Sequence, residues 1–289
     1  MDIKAILMGV VFAFIWSSAF TSARIIVADA SPLASLSLRF FLSGLIGVCI
    51  ARMMGQRWNL TRGQWRATFV FGLCQNAIYL GLNFYAMQTI QASLASIIAS
   101  TMPLMVAAAG WIVFRDRLPL VGVIGLLMGI IGVVIIMSAR MNAGVDMRGV
   151  AMCVIGAASL TVATLSMRSA SSGGNLMMVV GLQMLVGSAV LAVASALTET
   201  LRFNPTPEFF AAFVYTMLAP GLLATYIWFS LVQRIGAVKA ATFHFLNPFF
   251  GVAIAAALLG ERLGAHDILG VAVIGLGILA VQLSRVAKT

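Results

Sequence analysis

The residues best placed to do chemistry are polar side chains set inside long apolar runs. Between positions 65 and 87, Gly72, Asn76, Tyr79 and Asn83 recur at intervals of 4, 3 and 4, which puts them on one face of a helix with Gln75 beside it. Amides and a phenol cannot face hydrocarbon unpaired, since each unsatisfied group costs roughly a few kcal/mol. Such a face either lines a wet cavity, where it would hydrogen-bond a ligand's ammonium or carboxylate, or it ties one helix to another. Between 237 and 259, Ala240, His244, Asn247 and Gly251 share a face. His244 lies in mid-run, whereas His266 is at a loop edge. A histidine at that depth either switches charge near neutral pH or stays neutral in a hydrogen bond.

Aromatic walls accompany these groups. Trp16 and Phe20 adjoin a face carrying Ser17, Thr21 and Arg24, and a later run offers Thr225, Tyr226, Trp228 and Ser230. Aromatic surface beside a few polar groups suits an amphipathic small molecule. Ser93, Ser96, Ser100 and Pro103 follow at 3, 4 and 3, a spacing that fits close helix packing as well as ligand contact. The expected substrate contacts are Trp16, Ser17, Gln75, Asn76, Tyr79, Asn83, Ser100, Tyr226, His244 and Asn247. Arg24 is expected to snorkel from the end of its run. Arg39, seven residues past Pro32 and so about 10 Å in, can snorkel, pair with Asp29 or attract a substrate carboxylate. None of the eight acidic residues falls in mid-run. That argues against a permanent organic cation as substrate and removes the simplest proton-coupling group. No phosphate loop, metal-ligand spacing or nucleophile triad occurs, so neither an enzyme nor a cofactor is expected. Cys49, Cys74 and Cys153 are odd in number and lie in apolar sequence, which predicts buried free thiols.

The elements that must position these residues follow from composition. Of 289 residues, 62% are hydrophobic and 9% charged, against roughly 25% charged in soluble domains. A water-facing globule and a disordered chain are both excluded. A membrane helix needs about 20 apolar residues, and ten such runs are predicted, at 4–27, 32–54, 65–87, 92–114, 119–138, 148–168, 175–198, 208–233, 237–259 and 266–285. They are too long and too continuous for barrel strands. The net charge of +10 does not indicate a nucleic-acid partner. With the N-terminus placed in the cytoplasm, the basic residues from Lys4 through Arg52, Arg115, Arg168 and Lys239 to Lys288 fall inside. Only Arg140, Arg148, Arg202 and Arg262 fall outside. Both termini are therefore expected in the cytoplasm of a bacterial-type inner membrane.

The chain also repeats. At a shift of 145, Phe84 meets Phe229, Ala92 meets Ala237, Pro103 meets Pro248, and Asp116-Arg117-Leu118 meets Glu261-Arg262-Leu263. Gly125 and Gly132 likewise meet Gly270 and Gly277. Five runs per copy is an odd number, so the copies, 1–140 and 146–289, must be inverted. That arrangement is typical of secondary transporters with a midplane site between the halves. Pro103 and Pro248 at matched points, with Pro220 between them, are candidate hinges. These residues resemble the drug/metabolite transporter superfamily and its paired EamA-type repeats: a Pro-containing helix, an acid-x-Leu turn and a Gly-rich last helix. Trp16-Ser17-Ser18-Ala19-Phe20 is similar to the family's first helix, and the closest likeness is to the YddG-type exporters of aromatic and other amino acids. The resemblance implies an all-α integral membrane protein, ten transmembrane helices as two inverted five-helix repeats around a central cavity. It also implies efflux of small molecules by a monomer in the lipid bilayer. An anionic-metabolite or nucleotide-sugar carrier would need Arg24 and Arg39 facing the cavity, and a lipid head-group flippase would need lateral openings.

Overall fold

A computed structural model describes residues 3–113, 115, 119–166, 175–235, 240 and 242–286. Asp116, Arg117, Leu118, Arg168, Ala237, Lys239 and Lys288 lie outside the described residues. The described chain is helical, with one isolated antiparallel bridge between Ala30 and Phe203. Helices dominate because in hydrocarbon each backbone N–H and C=O must be satisfied within its own segment. The successive passes are α1 (Ile3–Asp29), α2 (Pro32–Met53), α3 (62–86), α4 (Ala92–Val113), α5 (Leu120–Asn142), α6 (Met147–Ser166), α7 (Leu176–Thr198), α8 (207–235), α9 (242–259) and α10 (Ala265–Val286). Eight have the length and composition to cross a membrane, and the apolar helix of α9, Phe243–Leu259, is shorter. The remaining pass, α3, carries Arg62, Arg66, Gln75, Asn76 and Asn83 and is correspondingly less apolar. The protein is an all-α, multi-pass membrane protein.

Two compact units divide the chain, one from residues 1–21, 89–150 and 224–289, the other from 22–88 and 151–223. In the first, α5 packs along α10 through glycines. A Cβ on Gly125 would stand 2.6 Å from the Gly277 carbonyl oxygen, and one on Gly277 would stand 2.7 Å from that of Gly125. Gly132 and Gly270 repeat the relation at 2.8 and 2.9 Å. The four glycines that coincide under the 145-residue shift thus meet one another, because only hydrogen side chains permit this approach. At the start of α4, Glu261 accepts from Ala92 N at 2.8 Å and Ser93 N at 3.0 Å, filling two orphan amides of the first turn. Nearby Arg140 pairs with Asp267 at 3.1 Å and also donates to Gln91 Oε1.

The second unit is organised around α2 and α7. A Cβ on Gly181 would stand 2.7 Å from Val48 N and 3.0 Å from the Gly44 carbonyl oxygen. Ser37 and Ser188 each donate to the other's backbone carbonyl, at 2.9 and 2.8 Å. Glu199 accepts from Leu33 N and Ala34 N at 2.8 and 3.0 Å, closing the start of α2. Gln56 accepts from Met178 N at 2.9 Å in the first turn of α7. Each helix is therefore capped by the residues that follow the other, a reciprocity that matches two elements running in opposite senses.

Among the described residues, four irregularities interrupt the passes. α3 widens to a π-helix over Gly72–Tyr79, and α8 does so over Met217–Leu223 around Pro220. α4 breaks at Thr101, between Ala92–Ser100 and Met102–Val113, and α9 changes from a 3₁₀ turn, Thr242–Leu246, to an α-helix at Asn247. Both pairs are spaced by the same 145 residues as the sequence repeat. Pro103 and Pro248 were expected to remove a hydrogen bond inside a continuing helix. Each instead lies in the first turn of a new helix, where an N–H is not required.

Candidate functional site

In the unit formed by 1–21, 89–150 and 224–289, a polar core sits among aromatic rings. Asn247 begins the α-helical part of α9, and its Nδ2 lies 2.9 Å from His244 Nδ1, one turn back. With the amide nitrogen donating, Nδ1 accepts, an arrangement that suits a neutral ring with its proton on Nε2, one of the two states open to His244 from sequence. Ser17 Oγ donates to the Asn247 carbonyl at 3.2 Å. Asn247 Oδ1 and the Thr21 hydroxyl are buried without a hydrogen-bond partner. Phe12 meets the His244 ring edge-on at 5.5 Å, and Trp228 lies 5.0 Å from it. Phe12 also lies 4.9 Å from Trp228 and 5.7 Å from Trp16. Three aromatic rings thus wall a neutral donor and an unspent amide oxygen.

The structure brings Trp16, Ser17, His244 and Asn247 together as the sequence suggested. Tyr226 does not join them: its side chain is 55% exposed on the surface of α8. Trp228 takes the inward place, two residues on, with buried Ala224 and Leu231 along its face. The spacing of 4 and 3 from Ala224 through Trp228 to Leu231 was the available signal for this, whereas Phe12 had none beyond its type. Ser100 donates to the Ser96 carbonyl within its own helix at 2.7 Å, and the Ser93 and Ser96 hydroxyls are buried without partners. Ser96 faces Gly251 so closely that a Cβ there would overlap its hydroxyl. The serine stripe is therefore a packing surface.

In the unit formed by 22–88 and 151–223, Gly72, Asn76, Tyr79 and Asn83 are all buried, with Gln75 partly so. Their common burial survives the π-helix, although the turn there is wider than the α-spacing assumed. Asn76 Nδ2 donates to the Gln183 carbonyl on α7 at 3.0 Å, and Gly187 makes room for its Cβ. Asn83 Nδ2 donates to the Tyr79 carbonyl at 2.8 Å, leaving Oδ1 buried without a partner. Asn76 thus ties α3 to α7, and Asn83 keeps one acceptor unspent.

The arginines part company. Arg24, expected to snorkel from the end of its run, is partly exposed and donates to the Met87 carbonyl at the end of α3. Arg39 is 4% exposed, so it does not reach outward. Its alternative partner, Asp29, is occupied by Asn204 Nδ2 at 3.0 Å and Thr206 Oγ1 at 2.6 Å. The cysteines are free, but only Cys153 is buried; Cys74 is partly covered and Cys49 exposed on the apolar surface.

Comparison with known proteins follows the same lines. The EamA-like transporter family model matches twice, over residues 3–138 and 147–283. The uncharacterized transporter YvbV of Bacillus subtilis is 24% identical, across 94% of this chain and 90% of its own. Protein PecM of Dickeya dadantii is 23% identical, across 94% and 91%. A protein of Salmonella typhimurium named as a probable amino-acid metabolite efflux pump is 26% identical, across 94% and 92%. A solved crystal structure superposes over the full length of both chains with a TM-score of 0.68 at 20% identity, a likeness of fold. This chain belongs to the EamA-like transporter family and is a transporter of small molecules, not an enzyme.

Proposed function

We propose that this transporter exports small amphipathic metabolites, amino acids including aromatic ones, from the cytoplasm by alternating access. The observation that carries the reading is the His244–Asn247–Ser17 core walled by Phe12, Trp16 and Trp228. A neutral N–H and an unspent amide oxygen suit the polar end of such a solute, and the rings suit its apolar end. The name of the Salmonella relative supports the same substrate class. In this reading 1–140 and 146–289 act as inverted repeats of a monomer, and Pro103, Pro220 and Pro248 mark the joints at which they flex. Both termini lie in the cytoplasm, on the side richer in Lys and Arg.

The test is solute counterflow in proteoliposomes, with radiolabelled phenylalanine, leucine, threonine and a sugar as tracers. Flux of an amino acid above that of empty liposomes, saturable and competed by its congeners, is the expected result. Flux of another solute with none for any amino acid would overturn the substrate assignment.

A further inference from the structure

Arg39 is the charged group that the fold leaves unexplained. It lies on α2 two turns beyond Pro32, within the unit formed by 22–88 and 151–223. Its guanidinium carbon stands 4.4 Å from the ring centroid of Phe40 and 5.6 Å from that of Phe84. Both rings are buried. An aromatic face attracts the cation but takes none of its in-plane N–H bonds. Among the described residues Arg39 has no hydrogen-bond acceptor and no ion-pair partner, and its Nε is buried and unsatisfied.

The acids of this unit do not compensate it. Asp29 is held by Asn204 and Thr206. Glu199 is held by Leu33 N, Ala34 N and the Ser195 hydroxyl. Glu208 is exposed at the start of α8. Arg24 differs in that it is only partly buried and one of its N–H groups reaches a backbone carbonyl. A cation out of water without a counter-charge is strongly disfavoured, so the structure is incomplete at Arg39 until an anion arrives.

Building on the reading of this protein as an amino-acid exporter, we propose that Arg39 binds the carboxylate of the transported solute. The planar guanidinium matches a carboxylate with two parallel N–H···O bonds, and Phe40 and Phe84 attract its charge without taking any of its N–H groups. The neighbour of Phe84, Asn83, holds a buried unpartnered Oδ1 on the same helix, the kind of acceptor an ammonium group needs. The solute class narrows accordingly to compounds with a free carboxylate, zwitterions foremost. Their amides and their decarboxylated amines are poor substrates.

The experiment measures counterflow of phenylalanine, phenylalaninamide and phenethylamine by wild type, Arg39→Lys and Arg39→Gln in proteoliposomes. The ratio of acid to amide flux is the readout, because both come from one preparation and a folding defect cancels. Wild type should prefer the acid, and Arg39→Gln should lower that ratio by ~10-fold or more, the scale expected when a buried charge pair loses one partner. Arg39→Lys should fall between, since it keeps the charge but not the fork. Equal wild-type flux of acid and amide would overturn the proposal even if neither variant folds, as would an unchanged ratio in Arg39→Gln. If wild type carries only some other solute, the amino-acid reading falls by itself. Competition of that flux by benzoate and acetate, lost in Arg39→Gln, would then sustain Arg39 as a carboxylate site, and absence of competition would refute it.

Discussion

His244 and Asn247 stand one turn apart on α9, and the 2.9 Å contact between them orients the imidazole ring. Asn247→Ala removes that donor and unlocks the ring. Loss of one buried hydrogen bond should lower stability by about 1 kcal/mol and raise the KM for transport, measurable by a melting curve alongside counterflow. Away from the membrane, Asp146 accepts from the Thr89 hydroxyl at 2.6 Å and from Arg148 N at 3.0 Å. These bonds, the Thr89 hydroxyl first, hold its carboxyl below the ordinary value of 3.8. A depressed carboxylate contributes stability above its unfolded pKa and loses it as pH falls through the folded one. Melting of wild type and Asp146→Asn should therefore differ at neutral pH and converge on acidification below that value. At this scale the sequence was legible in residue type more than in direction. It marked Arg24, Arg39 and the polar face of α3 as abnormal at membrane depth. It could not reveal that Asp29 was already engaged, or that α8 turns Trp228 inward and Tyr226 outward. Those facts depend on partners remote in the chain.

Helices in this protein meet where side chains vanish. The Gly125–Gly277 and Gly132–Gly270 contacts set the spacing of α5 and α10, with backbone oxygen already within 3 Å of each absent Cβ. Gly277→Val must push the helices apart and should destabilise the protein by about 1–3 kcal/mol or more, visible as a lower melting temperature in detergent. Control substitutions at Gly144, whose Cβ would meet nothing within 4 Å, test strain instead, since its φ of 76° disfavours any side chain. Pro248 opens the α-helical part of α9 directly after the 3₁₀ turn that carries His244. Pro248→Ala restores the N–H that would let one helix run through the junction. It should slow transport more than it weakens binding, and equal loss of both would exclude a joint here. The glycine repeats and both prolines were evident from the sequence. The π-helix at Gly72–Tyr79 was not, because no proline or unusual residue marks it. Its counterpart at Met217–Leu223 is marked only by Pro220-Gly221.

Taken over the full chain, hydropathy alone was enough to establish a helical, multi-pass membrane protein, since the bilayer leaves few other ways to satisfy a backbone. Matching positions 145 apart exposed the repeat without any structure. What remained hidden was how the repeats mix. The compact units each draw on both halves of the chain, and the boundaries fall within α1, α6 and α8 and between α3 and α4, rather than at the loop near 143. Hydropathy has no means of reporting that, because it reads along the chain and the units form across it. Charge supplies the prediction at this scale. With +10 spread unevenly over the loops, a green fluorescent protein fused to the C-terminus should fluoresce in the cytoplasm, whereas an alkaline phosphatase fused there should stay inactive. The opposite result would invert the assignment. A π turn amounts to one extra residue lodged in an α-helix, tolerated rarely and retained where it serves a purpose. The two π turns begin 145 residues apart, one in each copy of the repeat, as doubling of a segment that already carried the insertion would leave them.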